Sequence, residues 1–111
     1  MTSQTWTVYF GFDSSDLTPD AVDVLGAVAD HYRQFPSRFM LTAHANTPYG
    51  APYNFGLSRN MSDAVKFCLI AKGVPKTAVR SESWGDRRLP VPDASGDDPL
   101  NRRVDIRMDH S

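Results

Sequence analysis

Apolar residues along this chain follow two rhythms, a two-residue one and a helical one, and the switches between them mark out six elements. Residues 6–10, Trp-Thr-Val-Tyr-Phe, are rich in strand formers and predict a first strand, closed by turn formers from Gly11 to Asp16. Thr18, Pro19 and Asp20 then predict a helix start. The threonine hydroxyl suits an N-cap, proline lacks the N–H that would go unpaired there, and Asp20 and Asp23 lie near the positive end of the helix dipole. Leu25, Val28, Ala29 and Tyr32 recur at i, i+3, i+4 and i+7, an inward stripe that runs to about Phe35 before Pro36-Ser37 stops it. The apolar run Phe39-Met40-Leu41 predicts a buried second strand over residues 39–43. A polar loop, Ala43-His44-Ala45-Asn46-Thr47-Pro48-Tyr49-Gly50, follows it.

A second helix is expected from about Asn54 to Lys72, with Leu57, Met61, Ala64, Val65 and Cys68 on one stripe. Gly73 suits its C-cap, and Pro75 prevents continuation. Residues 79–84 read as a third strand and residues 85–101 as a long connection rich in Pro and Asp. From 102 to 108 the chain alternates, with Val104, Ile106 and Met108 apolar and Asp105 and Arg107 polar, which predicts a half-buried fourth strand. The order β-α-β-α-β-β implies one layer of helices on one sheet. No repeat or low-complexity tract divides residues 1–111, so one domain is expected.

Charge and composition narrow the function classes. Twelve Lys+Arg against thirteen Asp+Glu give a formal charge of -1, without the basic excess that nucleic-acid binding needs. The lone cysteine, Cys68, excludes an internal disulfide and a thiolate metal cluster. Its place on the helical stripe reads as a small core residue. No apolar run reaches the roughly 20 residues that span a bilayer. The first residues lack the charged and apolar regions of a signal peptide, so either a cytoplasmic protein or a mature or excised domain is expected.

The stretch from Phe39 to Ser62 is the place to expect a ligand, because a strand feeding a polar loop and then a helix N-terminus gathers unpaired backbone N–H groups. Catalytic and metal readings find little support. His31, His44 and His110 have no ligand-spaced partners, and His44 reads as a satisfied structural histidine at a strand end. Oxygen side chains alternate from Asp93 to Asp98 as in a calcium loop, but Val104 stands where the bidentate Glu would be needed. No nucleophile beside a base is visible, and neither a cofactor nor a metal is expected. Arg102 and Arg103 point to opposite faces of an alternating strand, while Arg87-Arg88 reads as a solvated loop pair.

In order along the chain, Phe10-Gly11-Phe12-Asp13-Ser14-Ser15-Asp16-Leu17-Thr18-Pro19, Ala43-His44-Ala45-Asn46, Tyr53-Asn54-x-x-Leu57-Ser58, Gly73-Val74, Trp84-Gly85-Asp86 and Asn101-Arg102-Arg103-Val104 resemble the motifs of the OmpA-like family. This is the peptidoglycan-binding domain shared by outer-membrane proteins, peptidoglycan-associated lipoproteins and flagellar motor stators. The resemblance covers nearly the whole chain. It implies an α+β two-layer sandwich with both helices on one face of a four-stranded mixed sheet. It also implies a non-catalytic, periplasmic or outer-membrane-associated module that holds the diaminopimelate side chain of the peptidoglycan stem peptide non-covalently.

By that resemblance the ligand-binding positions are Asp13, Asn46, Asn54, Met61 and Arg102. Two depart from the family pattern, which has an aspartate where Asn46 stands and an arginine where Met61 stands. Arg59 is no substitute, since at about 100° per residue it points roughly 200° away from position 61. Two lost charge-assisted contacts, at about 1.5–3 kcal/mol each, cost roughly 3–6 kcal/mol. In affinity that is on the order of a hundred- to ten-thousand-fold. The expectation is a weakened or altered peptidoglycan site or, alternatively, a scaffold with a disabled pocket that contacts other envelope proteins through aromatics such as Tyr49 and Tyr53.

Overall fold

Thr18 opens the first helix as its chemistry dictates. In an extended conformation its hydroxyl accepts a hydrogen bond from the Ala21 N–H at 3.1 Å, with Pro19 following at the first helical position. The computed structural model describes residues 3–92 and 98–109 and places helix α1 over Pro19–Gln34. The other elements are β1 (Ser3–Tyr9), β2 (Arg38–His44), α2 (Ala51–Ala71), β3 (Val79–Gly85) and β4 (Arg103–Asp109). Short 3-10 turns at Lys76–Ala78 and Pro99–Asn101 lead into the last two strands.

The elements come in the expected order, with some ends displaced. Helix α2 begins at Ala51 rather than at Asn54. Gly50, at φ 102°, turns the chain into it and Pro52 sits in its first turn, but no side chain caps it, so the usual N-cap signal is missing. Strand β4 starts at Arg103, because Arg102 still terminates the 3-10 turn. Gly73, at φ 105°, follows the end of α2, and the Val74 N–H reaches back to the Leu69 carbonyl at 3.0 Å.

The sheet order is β1-β4-β2-β3. β4 runs antiparallel to both β1 and β2, whereas β2 and β3 are parallel and joined through α2. Val8, Phe39, Leu41, Ala43, Val79, Val104, Ile106 and Met108 face the helices from the sheet. Leu25 and Val28 of α1 and Leu57, Met61, Val65 and Leu69 of α2 close the core from above. Cys68 is half-buried at its margin rather than enclosed within it. The opposite sheet face is polar and includes a Thr7 hydroxyl that donates to Asp105 at 2.8 Å and an Arg103–Asp105 ion pair at 3.4 Å. Near the end of β3 the register skips Trp84, so His44 pairs with Gly85.

Candidate functional site

Five chain segments meet where β1 and β2 end and α2 begins. The Phe10 N–H donates to the Arg102 carbonyl at 2.9 Å, and Arg102 Nε donates back to the Phe10 carbonyl at 3.2 Å. This reciprocal pair fixes the start of β4 against the turn after β1. It leaves the Arg102 guanidinium 5.9 Å from the centroid of the Phe12 ring. Asp13 stands exposed on the same turn, in the left-handed region at φ 52°, which aspartate tolerates better than most residues. The Tyr53 hydroxyl, from the first turn of α2, donates to its carboxylate. That bond, helped by the charge of Asp13, pushes the Tyr53 phenol above its ordinary pKa.

Asn46 and Thr47 are buried in the loop after β2, with only 5% and 4% of their surface exposed. Beneath them Asn54 has no exposed surface. Its Oδ1 accepts from the Thr47 hydroxyl at 2.7 Å, and its Nδ2 donates to the Thr47 carbonyl at 3.2 Å and to Asp86 Oδ2 at 3.1 Å. The amide expected to face a ligand is thus engaged three times within the fold. It ties the loop after β2 to α2 and to the turn after β3.

Met61 likewise presents no surface to a ligand. It is fully enclosed in the core, where a thioether fills space that a charged group would be costly to occupy. The structure therefore brings Asp13, Asn46 and Arg102 to the loop end of the sheet. It sets Asn54 behind them as a tie and Met61 below them as packing. Thr47, Asp86 and Phe12 belong to the same constellation and were not singled out from the sequence. The signals available for them were the Trp84-Gly85-Asp86 motif and the pairing of Phe12 with Asp13.

A close backbone contact seats α2 on β3. Gly85 has φ 57°, and a Cβ placed there would lie 2.8 Å from the Phe55 nitrogen and 2.9 Å from Phe55 Cα. Its N–H donates to Ser58 Oγ at 3.0 Å, while that hydroxyl donates to the Phe55 carbonyl at 2.8 Å. Only glycine lets the strand end approach the first turns of the helix this closely.

Phe12, Tyr49 and Tyr53 form an edge-to-face chain, with ring centroids 6.3 Å apart for Phe12–Tyr49 and 5.3 Å for Tyr49–Tyr53. All three remain about half exposed. Arg88 is not merely solvated, because its guanidinium lies 4.2 Å from the centroid of the Trp84 ring. His44 departs from the expectation of a satisfied histidine: it is buried, and its Nδ1 has no hydrogen-bond partner. Burial lowers its pKa, opposed by the charge of Asp105 and by a bond to the Arg88 backbone, while Arg103 adds to the lowering. The calcium-like pattern falls on residues 93–97, which lie outside the described residues. Asp98 accepts a bond from the Leu100 N–H at 3.0 Å at the start of a 3-10 turn. Among the described residues, no group of three or more His, Cys, Asp and Glu side chains is placed to hold a metal ion. No helix there is long and apolar enough to cross a membrane.

Comparison with known proteins matches residues 9–103 to the family model described as the OmpA family. The peptidoglycan-associated lipoprotein of Haemophilus influenzae is 36% identical over 86 residues, which cover 77% of this chain and 56% of the lipoprotein. That of Pseudomonas putida is 32% identical, over 91% of this chain and 61% of the relative, so this chain spans somewhat more than half the length of these relatives. The crystal structure of the peptidoglycan-associated lipoprotein from Burkholderia pseudomallei aligns with a TM-score of 0.79 at 25% identity, covering 93% of this chain and 89% of that one.

Proposed function

This chain belongs to the OmpA family, and from that premise we propose that it is a non-catalytic cell-envelope module that associates with peptidoglycan through a site of altered charge. The proposed place of action is the periplasm or the inner side of the outer membrane, and the proposed contacts are Asp13, Asn46 and Arg102. Support for the location comes from the lipoprotein relatives, whose name states the association. The observation that carries the altered-charge reading is the enclosure of Met61 in the core, below a loop whose Asn46 is also neutral. Asp13 and Arg102 stand at the rim, and a third charged group, the half-buried Asp86 carboxylate, accepts from the buried Asn54 amide beside them.

Cosedimentation with purified sacculi tests this reading. The intact chain is expected to pellet with sacculi, and Asp13→Ala and Arg102→Ala to reduce the bound fraction while both variants stay folded by circular dichroism. Absence of pelleting by the wild type would overturn the proposal. It would favour the alternative, an OmpA-like scaffold that contacts envelope proteins through Tyr49, Tyr53 and Phe12, which are each about half exposed.

A further inference from the structure

The two edges of the sheet are built differently. β3 carries exposed Arg80 and Glu82, and its register with β2 skips at Trp84, both devices that discourage a further strand from pairing. β1 has neither. Its sequence, Ser3-Gln-Thr-Trp-Thr-Val-Tyr9, holds no charge, no proline and no glycine, and it pairs with β4 in unbroken register over its whole length. Thr, Trp, Val and Tyr are also strong strand formers. An edge left unprotected in this way is a template for another strand.

The pairing with β4 decides which backbone groups point outward. The Phe10 N–H donates to the Arg102 carbonyl at 2.9 Å, one step beyond Tyr9↔Arg103 in the same register. Antiparallel alternation then turns the N–H and C=O groups of Val8, Trp6 and Gln4 towards β4, and those of Tyr9, Thr7, Thr5 and Ser3 towards the open edge. Among the described residues β4 is the one strand paired with β1. The edge is accessible: Thr5 and Tyr9 are exposed, and a groove of about 350 Å³ opens between β1 and the first turns of α1, lined in part by Val8, Phe10, Ala21 and Val24.

We infer that the free edge of β1 pairs antiparallel with β1 of a second copy of this chain, joining two four-stranded sheets into one. The strand is its own complement. With a two-fold axis at Trp6, Ser3 faces Tyr9 of the other copy and Thr5 faces its Thr7, so every outward N–H and C=O of the edge gains a partner and no like charges meet. Thr5 opposite Thr7 is a favourable cross-strand pair, and the half-buried Trp6 of each copy meets the other at the axis. One pair of short strands buries little surface, so the association is weak and grows with local concentration. Antiparallel pairing also sends the two candidate sites, which lie beyond the Tyr9 end of β1, to opposite ends of the joined sheet. Each stays open, and the pairing does not depend on what the site holds.

The test is sedimentation velocity on the chain up to about 1 mM, with amide hydrogen exchange read at each concentration. Wild type should pass from monomer to dimer over that range. Where dimer dominates, the Thr5, Thr7 and Tyr9 amides should gain about tenfold protection, while those of Gln4, Trp6 and Val8, already bonded to β4, change little. Thr5→Pro removes an N–H that β4 does not use and sets a ring against the incoming strand, so it should fold and stay monomeric. Thr5→Lys, which gives this edge a charge such as β3 carries, should weaken dimerisation at least about tenfold. A dimer indifferent to both substitutions, or protection that appears on β3 or α2 instead of those three amides, would overturn the inference. A wild-type chain still monomeric at about 1 mM would overturn it too and leave the edge to a foreign strand.

Discussion

Thr47 and Asn54 hold each other through a reciprocal pair of hydrogen bonds: the threonine hydroxyl donates to the Asn54 side-chain oxygen at 2.7 Å, and the Asn54 amide donates back to the Thr47 carbonyl at 3.2 Å. With the third bond to Asp86, one buried amide joins three segments. Asn54→Ala removes the partner of the buried Thr47 carbonyl and the acceptor of the Thr47 hydroxyl proton, although that hydroxyl still accepts from the Tyr49 N–H at 3.1 Å, and each unsatisfied buried group costs about 1–3 kcal/mol. The expected loss in urea unfolding is about 2–4 kcal/mol. A loss below roughly 0.5 kcal/mol, the range of ordinary surface substitutions, would show that this tie does not hold the loop.

Gly85→Ala should be among the more damaging single-methyl additions in the chain. The new Cβ would meet Phe55 backbone atoms at 2.8 and 2.9 Å, and φ 57° is strained for alanine besides. Overpacking and left-handed strain together amount to roughly 2–4 kcal/mol. Differential scanning calorimetry should record a clear drop in Tm, and an unchanged Tm would mean that α2 can lift from β3 at no cost.

His44 gives stability a dependence on pH. Burial holds its folded pKa below the ordinary 6.5. As pH falls below that value, the unfolded chain takes up a proton that the native chain resists, so the stability contributed by neutral His44 is complete above 6.5 and is lost as pH falls through the lowered folded pKa. Unfolding free energies of wild type and His44→Gln, measured from about pH 8 to about pH 5, should diverge in slope below 6.5, with the variant flatter. Parallel curves would contradict this.

Met61→Arg alone places a guanidinium in a position without exposed surface and should destabilise by about 3–5 kcal/mol. Asn46→Asp added to it supplies the opposite charge. If positions 46 and 61 serve one site, the double-mutant cycle should return a favourable coupling of about 1 kcal/mol or more. Additive losses would mean that the family alignment of the two positions is misplaced.

Local chemistry made much of this fold legible in the sequence. Thr18 and Pro19 fix the start of α1 by a cap and a preset φ, and Val104, Ile106 and Met108 declare the buried face of β4 by simple alternation. The start of α2 was misplaced because Gly50 turns the chain through backbone conformation and offers no capping side chain. Met61's place in the core was legible from its stripe with Leu57, Ala64 and Val65, although the resemblance set it among the ligand positions; the role of Asn54 was not legible. Whether an amide faces a ligand or a neighbouring loop depends on Asp86, 32 residues away in sequence. Phe12 gave no period that would join it to Tyr49, because that contact arises only when the ends of β1 and β2 are brought to one end of the sheet.

The most direct test of the neutralised grip is the dissociation constant for a diaminopimelate-containing stem tripeptide, measured calorimetrically beside the Haemophilus influenzae peptidoglycan-associated lipoprotein. Binding at least about a hundredfold weaker than that of the lipoprotein is the predicted result, matching two lost charge-assisted contacts. A constant within about tenfold of the lipoprotein's, a difference of only about 1.4 kcal/mol, would contradict the account.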